Sequence, residues 1–416
     1  MWRRAACVVL LSLAAGLPGA RAQEGGEEAP AFAFRWSLKN SALVARAPED
    51  PVLFPDRDSA TGFWRFRVEP DIRLGGGVTL DVAFEQRVRA FSSAASSGAG
   101  VLPPEAAAPF RIRQLDWRLA SSSNAEWRGE IDRAAVHVHR SAVDVTVGRQ
   151  AIGWGRGVLF GAIDLFSPFT PLEADREWRR GVDAVRGDVK LGDRSSLDLV
   201  GAFGDGVDRS AFGARLRGYA GKADVELVGG RRARDLFGGI ASSAAVGGAE
   251  VHGELAVFRV PSVPGSTVFA ADRAIVKAVA GASWRVPVGN GVLVYAEYHY
   301  SGFGADRAAA IVPRLADPAF LERYLRGDTQ ILERHALAAL ASYEVSPELA
   351  LGAEWLQSPV DGSGVVVPSA TWTFGDRWSM LASLYLPFGR APAGGTLGSA
   401  FGATPLGLFA QLKVYH

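Results

Sequence analysis

The stretch Val78–Ala90 reads VTLDVAFEQRVRA and alternates apolar and polar side chains along its length. Its even-numbered positions are apolar except for Gln86, whereas most of its odd-numbered positions are charged or polar. Because successive side chains of a β-strand point to opposite faces, this period of two predicts a strand with one apolar and one polar face. The stretch is also long enough to cross a membrane as a tilted strand, which needs about 9–11 residues.

The same alternation recurs throughout the chain, at residues 64–69, 143–147, 250–257 and 378–386. Short turn sequences join many of these segments: Gly75-Gly76-Gly77, Gly192-Asp193-Arg194, Gly221-Lys222, Gly289-Asn290-Gly291, Ser346-Pro347-Glu348 and Gly375-Asp376-Arg377. Longer polar or Pro- and Gly-rich stretches separate the others, at residues 92–109, 260–272, 301–333 and 388–404. Short turns at one end and long loops at the other are typical of bacterial outer-membrane barrels. We therefore predict an all-β fold, a transmembrane antiparallel β-barrel.

The number of strands follows less directly from the pattern, because the region 121–180 is ambiguous and the segments number 18 or 19. A closed bacterial barrel has an even number of strands, so we predict about 18, with 16 or 20 as alternatives. A barrel of that width is too wide for wall side chains to fill, so a water-filled lumen is expected. No linker divides residues 23–416, which we predict to form a single outer-membrane β-barrel domain.

The N-terminus predicts export. Two arginines in Met1–Arg4 precede the apolar run Ala5–Leu17, which is too short to span a bilayer as a helix. The run is followed by Ala20-Arg21-Ala22, a small-x-small cleavage pattern. Residues 1–22 are therefore predicted to be a signal peptide, and the cell outer membrane is the expected location.

Composition narrows the chemistry. Without the three arginines of residues 1–22, the chain carries 42 basic and 44 acidic side chains, and this net charge of −2 argues against a nucleic-acid partner. The only cysteine, Cys7, lies in the predicted signal peptide, so no thiol remains for disulfides, metal ligation or nucleophilic catalysis. His137 and His139 share a strand face, but no third ligand can be named. Polar lining of the lumen is therefore favoured over a metal site, and no cofactor is expected.

Catalytic motifs are also missing from the sequence. Serine, histidine and acidic residues occur without the spacing of a nucleophile elbow or of an HExxH zinc motif. We therefore predict that the protein is not an enzyme and has no catalytic residues.

Residues 151–180 are too long for a turn and too aromatic for a freely solvated loop, since they contain Trp154, Phe160, Phe166, Phe169 and Trp178. We predict that this stretch folds into the lumen and forms a constriction; the alternative is an external loop on the rim. Its charged residues and the polar faces of the early strands together give the predicted pore-lining set: Arg65, Arg67, Glu69, Asp81, Glu85, Arg87, Arg89, Arg156, Asp164, Glu173, Arg176, Arg179 and Arg180.

Three neighbouring motifs, at residues 147–155, 164–169 and 180–186, read VGRQAIGWG, DLFSPF and RGVDAVR. This series resembles a segment of uncharacterised Gram-negative porin-like outer-membrane barrels, which are distantly similar to the alginate-export and phosphate-selective porins. The resemblance covers residues 111–190 and, more weakly, the hairpins from 334 to 388. It implies the fold and the compartment, but it assigns no substrate-binding residue.

Two further segments carry specific expectations. Residues 406–416 alternate in polarity and resemble the C-terminal assembly strand of outer-membrane barrels, although the aromatic Tyr415 is penultimate and His416 is last. The resemblance implies the barrel assembly machinery as a partner. Residues 317–327 have a proline near the first turn, apolar residues three and four apart and a closing glycine, which predict a short amphipathic helix inside a long loop.

The function expected from these features is an outer-membrane channel for passive diffusion of small polar solutes. Both signs of charge occur on one strand face, where Asp81 and Glu85 lie beside Arg87 and Arg89, and such a face holds water without a strong preference for anions or cations. The alternatives are a barrel that exports or anchors a polysaccharide or hydrophobic molecule, and a structural or adhesive barrel. Outer-membrane lipid and small polar solutes are the expected partners, and the oligomeric state stays open.

Overall fold

In the computed structural model, the described residues are 31–92, 101–102 and 108–416. Their strands belong to one antiparallel sheet of 19 strands. The sheet closes on itself because the first strand pairs with the last, residues 37–46 against residues 406–415. The predicted all-β barrel is confirmed. The predicted signal peptide, residues 1–22, lies outside the described residues.

The strands have the following bounds: β1 (Phe32–Arg46), β2 (Asp58–Gly75), β3 (Val78–Phe91), β4 (Asp116–Ser121), β5 (Ala125–Arg140), β6 (Val143–Gln150), β7 (Val182–Gly192), β8 (Ser195–Gly204), β9 (Gly206–Ala220), β10 (Ala223–Arg232), β11 (Asp235–Val246), β12 (Ala249–Val260), β13 (Arg273–Val286), β14 (Val292–Ser301), β15 (His335–Glu344), β16 (Leu349–Gln357), β17 (Gly364–Phe374), β18 (Trp378–Phe388) and β19 (Leu406–Tyr415). Between β14 and β15 lie a 3-10 turn (Ala308–Ala310) and two short helices, α1 (Ile311–Leu315) and α2 (Pro318–Leu325). None of the helices in the described part of the chain is long and apolar enough to cross a membrane.

The ring itself has 18 positions, because β4 and β6 share one of them. β3 pairs with β5 along residues 125–138. On the other edge of β5, β4 pairs with residues 126–130 and β6 pairs with residues 134–140. The two short strands therefore follow one another along a single edge. This confirms the predicted count of about 18 and explains why the sequence segments number 18 or 19.

The connections differ at the two ends of the barrel. At one end, where residue 32 and residue 415 also lie, turns such as 76–77, 193–194 and 375–377 join neighbouring strands. At the other end lie the long loops, among them residues 151–181, 302–334 and 389–405, together with short connections at residues 122–124, 205 and 233–234. We call these the short-turn end and the long-loop end. The turn between β2 and β3 uses Gly75, Gly76 and Gly77 at φ of +80°, +57° and +77°, a left-handed run that favours glycine.

The two faces of the strands separate as the alternation predicts. On β12, Leu255 and Val257 point outward and are 45% and 44% exposed, whereas Glu254 and Phe258 point inward and are buried. The last strand behaves in the same way, with Leu408 outside and Phe409 fully buried. The outside of the barrel is therefore apolar, as a surface that faces lipid must be. The main cluster of buried apolar side chains lies inside the ring.

Candidate functional site

Residues 151–181, which connect β6 to β7, run through the interior of the barrel, and we call them the lumenal segment. Separate parts of the wall hold it. The indole N–H of Trp154 donates to Asp198 on β8 at 3.1 Å. Farther along, Asp175 accepts a hydrogen bond from the ammonium group of Lys39 on β1 at 2.7 Å. The predicted inward fold is confirmed, and the alternative of an external loop on the rim is wrong.

Two carboxylates on the wall bind the backbone of the lumenal segment, and we call them the carboxylate clamp. Glu254 on β12 accepts from four backbone N–H groups, those of Arg156, Gly157, Ala162 and Ile163. Glu297 on β14 accepts from three more at 2.5 to 3.1 Å, those of Val158, Leu159 and Phe160. Irregular backbone that is buried in a barrel needs partners for its polar groups. These seven bonds supply them.

Aromatic packing fixes the same part of the segment. Trp154 and Phe166 meet edge to face with ring centroids 5.0 Å apart. Phe160 stacks on His299 of β14 at 4.8 Å. Trp154, Phe160 and Phe166 are each at most 3% exposed, so three of the five aromatic residues that predicted an inward fold lie in an apolar core. His252 Nε2, on β12, lies 2.9 Å from Glu297 on β14, so it links the two strands that carry the clamp.

A second group of charged side chains lines the inside of β2, β3 and β5. Three guanidinium–carboxylate contacts define it: Arg65 with Glu85 at 2.7 Å, Arg67 with Asp132 at 2.8 Å, and Arg87 with Glu130 at 2.5 Å. We call these six residues the arginine–carboxylate wall. Charges held this far from bulk water are costly without partners, and each member of the wall faces a charge of the opposite sign.

The end of the lumenal segment is attached to this wall. The backbone N–H of Gly181 donates to Asp132 at 3.0 Å, and the Arg180 guanidinium lies 3.8 Å from Glu130. Arg111, from the loop before β4, also contacts Asp132 at 3.1 Å. The segment is thus held at both ends and in the middle.

Three residues of this cluster, Arg111, Glu130 and Asp132, are absent from the pore-lining set predicted from sequence. Glu130 and Asp132 flank Ile131 on β5, so the same period of two identifies them as inward-facing once β5 is recognised. Arg111 belongs to no strand, and no sequence pattern points to it.

A tryptophan of the lumenal segment lies among cations on the inner wall of the barrel. The ring of Trp178, in the lumenal segment, has the Lys39 ammonium 3.5 Å from its centroid. The guanidinium groups of Arg65 and Arg67 lie at 4.7 and 5.0 Å. These cation–π contacts hold Trp178 against the wall and spread positive charge around it.

A cavity of about 510 Å³ opens between the arginine–carboxylate wall, the lumenal segment and the loops at residues 302–334 and 389–405. Of the residues predicted to line the pore, five border it: Arg65, Glu85, Arg87, Glu173 and Arg180. The lumen that the strand count predicts is therefore partly filled by loops, and the space that remains is bounded by them.

The other predicted residues lie elsewhere inside the barrel. Most form ion pairs within the fold: Arg67 with Glu69 at 2.9 Å, Arg156 with Glu226 at 2.9 Å, Asp164 with Arg179 at 2.6 Å, and Arg176 with Glu354 at 3.5 Å. Asp81 is near the short-turn end, 3.9 Å from His137. The Arg89 guanidinium lies 5.0 Å from the centre of the Phe63 ring.

The loop at residues 302–334 covers the cavity and is firmly attached. Its helix α2 confirms the predicted amphipathic helix, with Asp317 as the N-cap that accepts from the N–H of Ala319 at 3.0 Å. Asp317 also accepts from the Ser266 hydroxyl at 2.8 Å. Although desolvation raises the pKa of the Asp317 carboxyl, these and further backbone hydrogen bonds outweigh it and hold that pKa well below its usual range.

Buried ion pairs attach the other end of α2. Arg323 donates to Asp235 of β11 at 2.9 Å, and Arg326 pairs with Asp328 at 2.6 Å. Arg232, on the neighbouring strand β10, contacts Asp328 as well. The loop is therefore a fixed cover over the cavity.

Comparison with known proteins supports the fold. No protein-family model matches the chain, and no curated protein matches it in sequence. Its barrel superposes on solved structures. Pseudomonas aeruginosa OccK9 (OpdG) gives a TM-score of 0.56 at 11% identity, over 92% of this chain and 98% of that chain. Acinetobacter baumannii OccAB1 gives 0.56 at 10%, over 92% and 96%.

A third structure, Acinetobacter baumannii OccAB4, gives a TM-score of 0.55 at 8% identity, over 93% of this chain and 98% of that chain. These neighbours are outer-membrane porins of 18 strands. With such low identity the likeness is one of fold: this chain has a porin-like, closed 18-strand barrel.

Proposed function

We propose that the protein is an outer-membrane channel for passive diffusion of small polar solutes. The observation that carries the proposal is the contrast between the two faces of a closed barrel, apolar outside and lined inside by paired charges. An apolar exterior such as that of Leu255 and Val257 is stable in lipid. An interior with Arg65, Glu85 and Arg87 around a cavity is suited to water and polar solutes.

The lumenal segment supplies the constriction in this proposal. It crosses the interior between Asp198 on β8 and Lys39 on β1, so a solute must pass beside it. Ion pairs such as Arg65 with Glu85 give the passage both signs of charge at close spacing. We expect weak selectivity between small anions and cations for that reason. The predicted pore-lining residues that border the cavity are the ones we assign to the conduction path.

The route to the membrane is part of the same proposal. Residues 1–22 would direct export and be removed, leaving residues 23–416 as one barrel domain. The strand β19, residues 406–415, would be read by the barrel assembly machinery before it closes on β1. Sequencing the N-terminus of the protein purified from outer membranes tests the cleavage site, and a start at Gln23 is the expected result.

The porin-like fold favours a channel over the alternatives of export, anchoring or adhesion, and it favours a non-enzymatic role. The narrower likeness to alginate-export and phosphate-selective porins is proposed on the motifs at residues 147–155, 164–169 and 180–186 alone.

Planar-bilayer recording of the refolded protein tests the proposal. Stepwise, ohmic increases in current are expected, with a reversal potential close to zero in asymmetric potassium chloride because the lining charges are matched. Folded protein that inserts without any current steps would contradict a channel, and glycan binding by such a silent barrel would support the export or anchoring alternative.

A further inference from the structure

The cavity at the long-loop end has two chemically different sides. One side is the arginine–carboxylate wall. The other side consists of apolar side chains from the covering loops, among them Leu315, Leu325 and Phe401. A hydrated, wholly polar solute would gain nothing from the second side, whereas an apolar group that leaves water there is stabilised. The cavity is therefore suited to a solute that is polar at one end and apolar at the other.

The wall carries three positive and three negative charges in pairs. This pairing limits which charged groups the polar end of a solute can carry. The guanidinium groups of Arg65 and Arg87 contact Glu85 and Glu130 at 2.7 and 2.5 Å. A solute with a single carboxylate would compete with those carboxylates for the arginines, and a lone cation would compete with the arginines. A group that carries both signs can instead present its carboxylate to a guanidinium and its ammonium to Glu85 or Glu130.

The apolar side is fixed in place before any solute arrives. Leu325 is 53% exposed although it lies on α2, which is held by the buried pair of Arg323 with Asp235. Leu315 ends α1, two residues before the Asp317 cap. Preorganised apolar surface binds without an additional cost of ordering side chains. The volume of about 510 Å³ is in the range of about 300–1,000 Å³ that small-molecule sites occupy.

We propose that this cavity is a binding site for zwitterionic solutes with an apolar side group, the class of the apolar amino acids and short apolar peptides. The inference rests on the proposed function in that the site would lie on the path of the solute. The carboxylate and ammonium groups bind the arginine–carboxylate wall, and the apolar group packs against Leu315, Leu325 and their neighbours.

Block of the ion current by added solute tests the proposal. Phenylalanine is compared with glycine, which lacks the apolar group, with 3-phenylpropanoate, which lacks the ammonium, and with 2-phenylethylamine, which lacks the carboxylate. Phenylalanine should bind at least about tenfold more tightly than each of the other three, a difference of about 1.4 kcal/mol. Equal binding of any one of the three would overturn the proposal.

Paired variants test which residues form the apolar side. Leu315→Ser with Leu325→Ser should weaken phenylalanine binding about tenfold and leave glycine unaffected. Val312→Ser with Leu321→Ser is the matched control, because Val312 and Leu321 lie on the same two helices at 40% and 38% exposure but do not border the cavity. Equal losses in the two double variants would overturn the assignment of this surface.

Calorimetric titration of the full chain in detergent separates the two proposals. A barrel that prefers phenylalanine in the calorimeter but passes no current contradicts the channel and supports the site. A conducting barrel that shows no preference in either measurement contradicts the site and leaves the channel standing.

Discussion

Glu254 and Glu297 show how single residues determine what the interior of this barrel contains. Their four oxygens accept hydrogen bonds from seven backbone N–H groups of the lumenal segment. A carboxylate is an acceptor at every lone pair, so it can satisfy several donors that converge on it. The clamp therefore replaces, for residues 156–160, 162 and 163, the hydrogen bonds that a helix or strand would provide.

Replacing both clamp residues with glutamine should loosen the segment. The amide nitrogen of glutamine donates and cannot accept, so buried N–H groups lose their acceptors at a cost of about 1–3 kcal/mol each. We expect Glu254→Gln with Glu297→Gln to give flickering single-channel currents where the wild-type current is steady. Glu250→Gln is the control, since Glu250 lies on the same face of β12 but is exposed. Equally steady currents in all three proteins would contradict the role of the clamp.

At the scale of residues, the sequence predicts which way a side chain points but not which groups it binds. The alternation along β12 is enough to turn Glu254 inward. The N–H groups that it binds lie more than 90 residues away in the chain, and no local pattern encodes a contact over that separation. The partners of the charges in the lumenal segment are equally non-local: Arg156, Arg176 and Arg180 contact carboxylates on distant strands. That these charges line the pore stays a prediction.

At the scale of elements, the strands place one face in lipid and the other in the lumen. Arg in place of Leu255, which points outward at 45% exposure near the middle of β12, should destabilise the folded barrel by about 2–4 kcal/mol if that face meets the bilayer centre. Val52→Arg should cost almost nothing, because Val52 is 69% exposed in the loop between β1 and β2. Urea unfolding in lipid vesicles measures both, and equal costs would contradict the lipid-facing assignment.

The helix α2 is held by its N-cap, and the cap depends on charge. Because hydrogen bonds depress the pKa of Asp317, its contribution to stability is fully present above the ordinary carboxyl pKa of about 3.9 and is lost only as the pH falls through the lower folded-state pKa. Asp317→Ala removes the cap and the bonds to the loop at residues 266–268, and should cost about 1–2 kcal/mol. Proteolysis of the loop at residues 302–334 should accelerate at pH 7. Asp306→Ala is the control, and an equal effect would contradict the cap.

Strands with a long apolar–polar alternation could be predicted from the sequence, whereas the short strands β4 and β6 could not be arranged from it. The alternation in β3, β12 and β18 predicts strands that the structure contains. The number of strands around β4 and β6 is ambiguous from sequence because these two short strands share one position in the barrel. Each of them pairs with a different part of β5. The pairing of β4 and β6 with β5 depends on where the chain turns into the barrel after Gln150. The alternation of side chains within a strand does not predict the position of such a turn.

At the scale of the whole molecule, stability depends on closure between β1 and β19. Ten residues of each strand are paired, and without this seam two strand edges would lie open in lipid. Deleting residues 412–416 should therefore abolish assembly, measured as loss of heat-modifiable migration and of surface protease resistance. Deleting His416 alone, which lies beyond the last strand, should be tolerated. Normal folding of the longer truncation would contradict the requirement for closure.

The overall shape was accessible from sequence, and the shape of the cavity was not. The excess of aromatic residues between 151 and 180 predicts an inward fold, because only the lumen can bury rings such as Trp154 and Phe166. The cavity is formed where that segment meets two loops that are distant in the chain, through contacts such as the hydrogen bond from the Gln330 side-chain amide to the carbonyl of Phe169 at 2.9 Å. Contacts between segments so distant in the chain form only because the closed barrel brings them together.

Solute flux into vesicles tests the central claim most directly. Lipid vesicles that contain the full barrel, placed in isotonic solutions of uncharged sugars, should swell at a rate that rises with the amount of protein and falls from arabinose to the larger raffinose. This result is expected if small polar solutes pass beside the lumenal segment by diffusion. Swelling no faster than that of protein-free vesicles, with the barrel shown to be folded, would contradict the account.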